Sequence, residues 1–243
     1  MKNAAYVTLA EWFEYLNDDC DYERWSQYLL EKLSAFPLTT GLDVGCGGGW
    51  FTRRFQREGY AMTGLDASRE MLDKAQETAL KEGVKSEYLL GDITRKKLPR
   101  RFSFAIAVND LVNYLPKDKL VAAFKNIHGA LVKGGAFLFD ISSKRKFQEK
   151  IANTVSVDDR EEVTYLNFSS VEGEKAVMEV TLFSRQADGR YLRSDERHEQ
   201  YIYEKEEILA ALQESGFTLL ETEGHLHEKE ETADRLTFLA VRK

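Results

Sequence analysis

The sequence of 243 residues holds two cysteines, three prolines and no apolar run that approaches the length of a membrane span. The cysteines, Cys20 and Cys46, form neither a C-x-x-C pair nor the spacing of a zinc site, which argues against a structural metal centre. The first residues, MKNAAYVTLAEWFEYL, lack the continuous apolar core of a signal peptide. We therefore expect a cytoplasmic protein that keeps its thiols reduced and binds neither a metal nor a membrane.

Positive charge is also in short supply. The chain has 34 Lys and Arg against 41 Asp and Glu, a formal net charge of -7 at pH 7. Proteins that gather nucleic acid through counterion release carry the opposite balance, so nucleic acid is an unfavoured partner. With 43% hydrophobic and 31% charged residues, the composition is that of a globular chain with one large domain or one domain carrying an insertion.

Up to Asp140 the pattern alternates short apolar runs with segments of helical period. The apolar runs, such as LDV at 42–44 and AFLFDI at 136–141, show no alternation with polar residues. Strands that are buried on both faces have this pattern, which predicts an α/β fold with a doubly wound, mostly parallel sheet. Two amphipathic helices over residues 9–34 precede the first strand.

The pattern changes after Asp140. The segments EVTYLNFSS, KAVMEVTLFSRQ and RYLRSDERHEQYIY alternate polar and apolar residues and are separated by the turn sequences VEGE and ADGR. They predict an inserted antiparallel three-stranded β-meander with one solvated face. We expect residues 1–143 to form the α/β core, 144–203 to be the meander that covers the site, and 204–243 to complete a seven-stranded sheet with a helix and two strands.

Glycines cluster between the first strand and the next helix, in GLDVGCGGGW at 41–50. A glycine loop that opens a helix lets the backbone approach a ligand at the helix N-terminus. The pyrophosphate-binding fingerprint G-x-G-x-x-G would need a glycine at position 50, where this chain has Trp50. An acidic residue, Asp43, begins the loop, which suits a ligand that carries a positive amine.

This loop resembles the first motif of the class I S-adenosylmethionine-dependent methyltransferases, and the later motifs of that family follow in order. The resemblance implies a Rossmann-like fold, S-adenosyl-L-methionine (AdoMet) as cofactor and in-line transfer of its methyl group. It implies that Asp66 binds the ribose hydroxyls and that Asp92, with the backbone of Ile93, meets the adenine. The cofactor residues that it assigns are Tyr22, Trp25, Asp43, Gly45, Cys46, Gly47, Gly49, Asp66, Ala67, Gly91, Asp92, Ile93 and Asn109.

Nearly the whole chain is similar to a narrower group, the bacterial YqeM-like methyltransferases. NDLVNYL at 109–115 matches the D-x-x-N-Y-L pattern of this group, whereas a Tyr–Asp pair of its N-terminal pattern is replaced by Phe13–Glu14. The meander after the fifth strand is also typical of the group. The N-terminal matches are Tyr6, Tyr22 and Trp25.

The motif after the fourth strand supplies the candidates for catalysis, which are Asp110, Asn113 and Tyr114. A general base is needed only if the acceptor must lose a proton early. Tyr114 could instead be core packing. His198 joins the site if the meander folds over the cleft, although an exposed strand position is favoured for it. His225 and His227, two residues apart, fit a solvated strand edge better than a metal site.

Several functions stay open. A small-molecule methyltransferase is expected, and a methyltransferase that modifies tRNA or rRNA and a non-catalytic AdoMet-binding protein are the alternatives. NDLVNYL lacks the Asn/Asp-Pro-Pro-aromatic motif of amino-directed nucleic-acid enzymes of this fold. Trp50 and Asp92 disfavour a nicotinamide oxidoreductase. The acceptor is a small molecule of unknown identity, and a free edge of the meander would allow a homodimer.

Overall fold

A computed structural model describes residues 5–98 and 102–243 of the chain. Its first half contains α1 (Leu9–Leu16), α2 (Tyr22–Leu33), β1 (Thr40–Val44), α3 (Trp50–Arg57), β2 (Ala61–Asp66), α4 (Arg69–Lys81), β3 (Glu87–Leu90), β4 (Phe102–Ala107), the short helix α5 (Leu111–Tyr114), α6 (Lys117–Ala130) and β5 (Leu131–Ser142). The second half contains α7 (Lys144–Lys146), a π-helical turn (Phe147–Ile151), β6 (Thr154–Asp159), β7 (Val163–Glu172), β8 (Lys175–Arg185), β9 (Tyr191–Tyr201), α8 (Lys205–Glu214), β10 (Phe217–Gly224), a 3-10 turn (His225–His227) and β11 (Arg235–Arg242).

Seven of these strands form one sheet in the order β10-β11-β5-β4-β1-β2-β3. Strands β1 to β5 are parallel to one another, and β10 and β11 are antiparallel at one edge. The predicted doubly wound, mostly parallel sheet is confirmed. The strand order reverses between β1 and β4, and ligands of open α/β sheets bind outside the carboxyl ends of the strands at such a point.

Hydrophobic clusters cover both faces of this sheet, which explains the apolar strands. On one face α6 and α8 supply Phe124 and Ile208, which pack against the core that includes Phe137 of β5. On the other face α2 and α3 supply Leu29 and Phe55. Strands that lie between two helical layers have no side for polar residues, so their sequences lack alternation.

The inserted segment forms a second, antiparallel sheet in the order β6-β7-β8-β9. It has four strands, so the expectation of a three-stranded meander is wrong by one strand. The missed strand, β6, pairs with β7 along its whole length but lies at the sheet edge, where Val155 and Val157 are 61% and 62% exposed. Because its alternation covers only a few residues and its apolar side chains face solvent, its sequence does not distinguish it from a loop.

The insert packs onto the N-terminal helix. Leu9 of α1 forms a hydrophobic cluster with Val163 of β7 and with Val180 and Leu182 of β8, and Phe13 packs against this cluster. The insert therefore contacts α1, and α1 lies next to the carboxyl ends of the parallel strands.

A buried ion cluster joins the ends of β4, β5 and β11. The Arg235 guanidinium lies 2.8 Å from Asp110 Oδ1 and also contacts Asp140. The Asp140 carboxylate accepts the backbone N–H groups of Asn109 and Asp110, at 3.1 and 3.2 Å. Both of those residues have a left-handed backbone, with φ of 59° and 69°. The cluster holds the turn after β4 in a conformation that few residues other than glycine adopt readily.

Replacing Asp110 with Asn tests the contribution of this cluster to stability. Burial by itself raises the pKa of Asp110, but Arg235 and Lys146 outweigh burial and lower it from 3.8 to about 2. A carboxyl group whose pKa is lower in the folded than in the unfolded state stabilises the fold at pH values above its unfolded-state pKa. This stabilisation is lost as the pH falls toward the folded-state pKa. The difference in unfolding free energy between wild type and Asp110→Asn should therefore shrink by about 2 kcal/mol from pH 5 to pH 2.

Urea unfolding of both proteins across this pH range measures the difference, and the comparison cancels the titration of the carboxylates that lie outside this ion cluster. A difference that stays constant from pH 5 to pH 2 would contradict the ion-pair account of Asp110.

Candidate cofactor and active site

A cavity of about 600 Å³ opens at the carboxyl ends of β1, β2, β3 and β4. Pockets for small ligands have volumes of this order and mostly apolar walls. The described part of its wall comes from the glycine loop, from the residues that follow β2, β3 and β4, and from the segment that leads into α1 and α2. From that segment the wall residues are Ala5, Tyr6, Val7, Phe13, Glu14 and Tyr22.

The glycine loop forms one side of the cavity with backbone alone. Gly45 and Gly47 line the cavity with φ of 70° and 53°, in the left-handed region. A Cβ on Gly45 would lie 2.5 Å from Leu111 Cδ1, and a Cβ on Gly47 would lie 2.9 Å from Met71 Cε. At Gly45 and Gly47 both the left-handed backbone and the lack of space for a Cβ therefore exclude residues larger than glycine. The third predicted glycine, Gly49, precedes α3 and lies outside the cavity wall.

Asp43 and Asp66 are held at the ends of adjacent strands. Asp43 is buried and accepts a hydrogen bond of 2.6 Å from Thr52 Oγ1, yet burial raises its pKa to about 7. Asp66 accepts the backbone N–H groups of Gly47 and Ser68, both at 2.8 Å, and burial raises its pKa as well. A positively charged ligand group nearby would favour the ionised form of either carboxylate.

The turn after β3 completes the row of strand-end carboxylates. Asp92 lines the cavity, and its Oδ1 accepts the N–H of Thr94 at 2.8 Å. The carbonyl of Ile93 accepts a hydrogen bond of 2.7 Å from the Asn126 side chain, which fixes this turn against α6. The other predicted cofactor residues that line the cavity are Cys46, Ala67, Gly91 and Asn109.

Aromatic side chains form another part of the cavity wall. Trp50 stacks on Tyr22 with ring centroids 5.1 Å apart, and both residues line the cavity. Trp50 therefore contributes an aromatic surface at the position where a pyrophosphate fingerprint has glycine. Trp25 does not reach the cavity, because it lies behind Tyr22 in the core, 4% exposed, with Arg235 over its ring. Trp25 packs in the core next to the cavity wall, and its assignment to the cofactor stays a prediction.

Arg53 connects the N-terminal helix to the glycine loop. Its buried guanidinium donates to the carbonyl of Gly48, lies 3.2 Å from Glu14 Oε1 on α1 and lies 2.8 Å from Glu82 on α4. The sequence did not predict these contacts of Arg53. It showed only that Glu14 departs from the YqeM-like pattern. Glu14 also lines the cavity, so α1 forms part of its wall.

Two of the predicted catalytic residues lie outside the cavity wall. Asn113 is fully buried, where its amide donates to the carbonyl of Tyr201 and accepts the N–H of Ser142. Asp110 belongs to the ion cluster with Arg235 and also accepts a hydrogen bond from Ser142 Oγ. These contacts hold the turn after β4, and a catalytic role for either residue stays a prediction.

Tyr114 does line the cavity, and it connects the cavity to the insert. Its hydroxyl lies 3.0 Å from the hydroxyl of Tyr6 and 3.1 Å from Nδ1 of His198, a residue of β9. His198 Nε2 lies 3.0 Å from Glu196 Oε2 on the same strand. His198 is 3% exposed, so the favoured expectation of an exposed strand position is wrong. Glu196 was not predicted from the sequence, because the residues next to it in the chain do not show which segment packs on its face of the insert.

The remaining histidines belong to the 3-10 turn His225–His227 rather than to a strand. His225 packs edge-on against Trp25, and His227 lies within 3.5 Å of carboxylates on Glu31 and Glu223. Within residues 5–98 and 102–243, no group of three or more His, Cys, Asp and Glu side chains is arranged to hold a metal ion. In the same ranges, no helix has the length and apolar character needed to cross a membrane.

Comparison with known proteins points to one family. A family model described as a methyltransferase domain matches residues 42–135, from β1 into β5. The protein "Putative methyltransferase GWCH70_2453" of Geobacillus sp. (strain WCH70) is 30% identical, over 97% of this chain and 98% of its own length. "Putative methyltransferase YqeM" of Bacillus subtilis (strain 168) is 27% identical over 97% of this chain and 96% of its own, which confirms the resemblance to the YqeM-like group.

Solved structures agree with this result. An S-adenosylmethionine-dependent methyltransferase from Clostridium acetobutylicum ATCC 824 superposes with a TM-score of 0.86 at 28% identity, covering 95% of this chain and 96% of that chain. CalS10 of Micromonospora echinaspora, an amino pentose methyltransferase solved with the cofactor bound, has the same fold, with a TM-score of 0.75 at 22% identity over 94% of both chains. From its sequence relatives, its fold and its strand-end cavity, this chain belongs to the S-adenosylmethionine-dependent methyltransferases.

Proposed function

We propose that this protein transfers the methyl group of AdoMet to a small molecule that binds in the same cavity. The observation that supports this proposal most is the cavity wall, which combines a backbone-only glycine loop with carboxylates at the ends of three adjacent strands. When bound, the cofactor supplies an electrophilic methyl group on a sulfonium sulfur. The protein's tasks are then to bind, to orient and to exclude water.

The cavity residues fit that cofactor, because its ribose, its adenine and its positively charged end each have a suitable partner on the wall. In our proposal Asp66 accepts the ribose hydroxyls, since two backbone amides fix its carboxylate and leave further lone pairs for a ligand. Asp92 and the Ile93 backbone would hold the adenine. Asp43, whose pKa burial raises to about 7, would face the positively charged end and ionise there.

The acceptor in this proposal is a small molecule enclosed with the cofactor. A volume of about 600 Å³ is in the range of pockets that enclose small ligands, and the apolar wall residues Val7, Phe13, Leu111 and Leu115 would exclude water from it. CalS10, which shares the fold, is named for methylating an amino pentose, an acceptor of this size class. A small acceptor also agrees with the acidic balance of the chain.

We also propose that the N-terminal segment is the lid of this site and that the insert, residues 144–203, braces it. The described wall takes residues 5–7, Phe13 and Glu14 from the N-terminal segment and none from the insert, which supports the N-terminal segment as the lid. The insert reaches the lid through the hydrophobic cluster around Leu9 and through Glu196, which accepts the N–H of Leu9 at 2.9 Å.

Two further expectations stay proposals. Cys20 and Cys46 are free thiols, which agrees with a reducing cytoplasm. The homodimer would use strand β6, because it pairs on one side only and exposes Val155 and Val157.

Substituting Asp66 tests the ribose contact. Asp66→Asn should weaken AdoMet binding by about 1–3 kcal/mol, because it replaces a charge-assisted hydrogen bond with a neutral one. Isothermal titration calorimetry measures the dissociation constant, and a thermal melt checks that the glycine loop still folds. Asp73→Asn on the exposed side of α4 is the matched control. An affinity for AdoMet that is equal in Asp66→Asn and Asp73→Asn would remove Asp66 from the site.

A screen with methyl-labelled AdoMet tests the class of acceptor. The wild-type protein is incubated with separate pools of amines, hydroxyl compounds including amino sugars, and unmodified tRNA, and each pool is separated by size before counting. Transfer of label to a small compound is the expected result, because the cavity has the volume of a small-ligand pocket. Transfer to the tRNA alone would contradict a small-molecule acceptor and favour an RNA-modifying enzyme.

A further inference from the structure

We propose that Tyr6, Tyr114, His198 and Glu196 form a proton relay that carries a proton from the methyl acceptor to the insert. This inference rests on the proposed function of the same cavity and goes beyond it by naming how the acceptor is activated. It restricts the acceptor to a molecule whose nucleophilic atom carries a proton that must leave, such as a hydroxyl or a protonated amine.

The contacts form one continuous chain from the cavity wall to a buried carboxylate. Tyr6 and Tyr114 line the cavity with their hydroxyl oxygens 3.0 Å apart. Tyr114 Oη is 3.1 Å from His198 Nδ1, and His198 Nε2 is 3.0 Å from Glu196 Oε2. No step in this chain exceeds ordinary hydrogen-bond length, so a proton can pass along it without a side chain moving.

The direction of the hydrogen bonds follows from the carboxylate at the inner end. Next to Glu196, a neutral imidazole carries its proton on Nε2 and donates it, which leaves Nδ1 as an acceptor. The Tyr114 O–H then donates to His198 Nδ1, and the Tyr6 O–H donates to the Tyr114 oxygen. The Tyr6 oxygen is left to accept from a ligand in the cavity. Every donor in the relay therefore points from the cavity toward the insert.

Glu196 is built to remain negatively charged. It is 1% exposed, and burial by itself raises its pKa, but the bonds from His198 and from the N–H groups of Thr8 and Leu9 outweigh burial and lower the pKa. The N–H of Tyr6 also donates to it, at 2.9 Å. A carboxylate that is kept ionised next to His198 stabilises the imidazolium that forms when the ring accepts a proton.

The two phenols can pass a proton on but are poor terminal bases. Burial raises the pKa of both Tyr6 and Tyr114, so both stay protonated near neutral pH. His198 Nδ1 is the first nitrogen lone pair along the chain that can accept the proton, and the ionised Glu196 beside the ring stabilises the product, which makes His198 the terminus of the relay. The phenols touch the cavity and would be catalytic residues, whereas His198 and Glu196 would act through them as positioning residues.

The backbone of Tyr6 shows that its placement is specific. Its φ is 60°, in the left-handed region that an aromatic residue rarely occupies. Two bonds hold this conformation, since the Tyr6 N–H donates to Glu196 and the Tyr6 carbonyl accepts from Ser68 Oγ at 3.1 Å. Non-glycine residues in such regions persist where the surroundings fix them, and they are concentrated at functional sites. The same carboxylate thus positions both ends of the relay.

The step balances as follows. The electron pair of the acceptor's X–H bond, or its lone pair, forms the new X–CH₃ bond, and the pair of the broken sulfur–methyl bond stays on sulfur. The acceptor's proton moves to the Tyr6 oxygen, the Tyr6 proton to the Tyr114 oxygen, and the Tyr114 proton to His198 Nδ1. Formally, one proton is transferred from the acceptor to the imidazole, which becomes a cation paired with Glu196. After the products leave the cavity, the imidazolium returns this proton through the hydroxyls of Tyr114 and Tyr6 to water in the cavity.

Nitrogen NMR of the histidine rings tests the relay without any acceptor. The chain has four histidines, so the loss of one signal in His198→Gln assigns the ring. At pH 8 in the ligand-free protein, we expect the His198 proton on Nε2 and a hydrogen-bonded Nδ1. Tyr114→Phe should move the Nδ1 signal toward that of an unbonded nitrogen, and His227→Gln is the control that should not. A proton on Nδ1, or an Nδ1 signal that Tyr114→Phe leaves in place, would overturn the relay.

Kinetics then test whether the relay serves catalysis. With the acceptor found in the labelled-AdoMet screen, Tyr114→Phe and His198→Gln should lower kcat roughly 100- to 10,000-fold, the usual contribution of acid–base catalysis, with affinity for S-adenosylhomocysteine unchanged. Glu196, Tyr6 and Tyr114 are the titratable groups that face His198, and Tyr165 and Asp110 act on Tyr114 from further away.

Failures of the two proposals are distinguishable. If AdoMet does not bind to the wild-type protein, the proposed function fails whatever the tautomer of His198. If AdoMet binds and label is transferred but kcat is equal in wild type, Tyr114→Phe and His198→Gln, the relay alone is wrong.

Discussion

The hydrogen bond between the Asp66 carboxylate and the N–H of Gly47 is the contact on which the glycine-loop side of the cavity depends. It ties the glycine loop after β1 to the end of β2, at a donor–acceptor distance of 2.8 Å. The loop can accept this position only because Gly45 and Gly47 tolerate a left-handed backbone and lack a Cβ. The same carboxylate also accepts from Ser68, so one residue fixes the loop and the N-terminus of α4.

The insert and the N-terminal segment depend on each other in a similar way. Glu196 accepts backbone N–H groups from Tyr6, Thr8 and Leu9, so the strand that carries it fixes the entry to α1. Arg53 fixes the far end of α1 to the glycine loop through Glu14. The lid is therefore held at both ends by charged groups, one from the insert and one from the core. This arrangement explains why a sheet that adds nothing to the described cavity wall still belongs to the site.

The sequence predicted the core sheet and many of the residues that line the cavity, because both are consequences of chain order. Apolar strands and a glycine loop fix where strand ends meet, and Asp43, Asp66 and Asp92 lie there. Motif matching was less informative where the direction of a side chain decides whether it lines the cavity. Asp110 and Asn113 match a motif but point into protein contacts, and Trp25 lies behind Tyr22. His198 was misjudged because alternation shows which face a strand residue occupies but not what packs on that face.

The central claim is that the glycine loop and the strand-end carboxylates hold a sulfonium nucleoside. Calorimetry of the purified, folded chain with AdoMet and with S-adenosylhomocysteine tests this claim most directly. The account predicts saturable heat with one site per chain for both compounds and none with NAD, whose pyrophosphate finds Trp50 where its fingerprint has glycine. Heat with NAD and none with either adenosyl compound would contradict it.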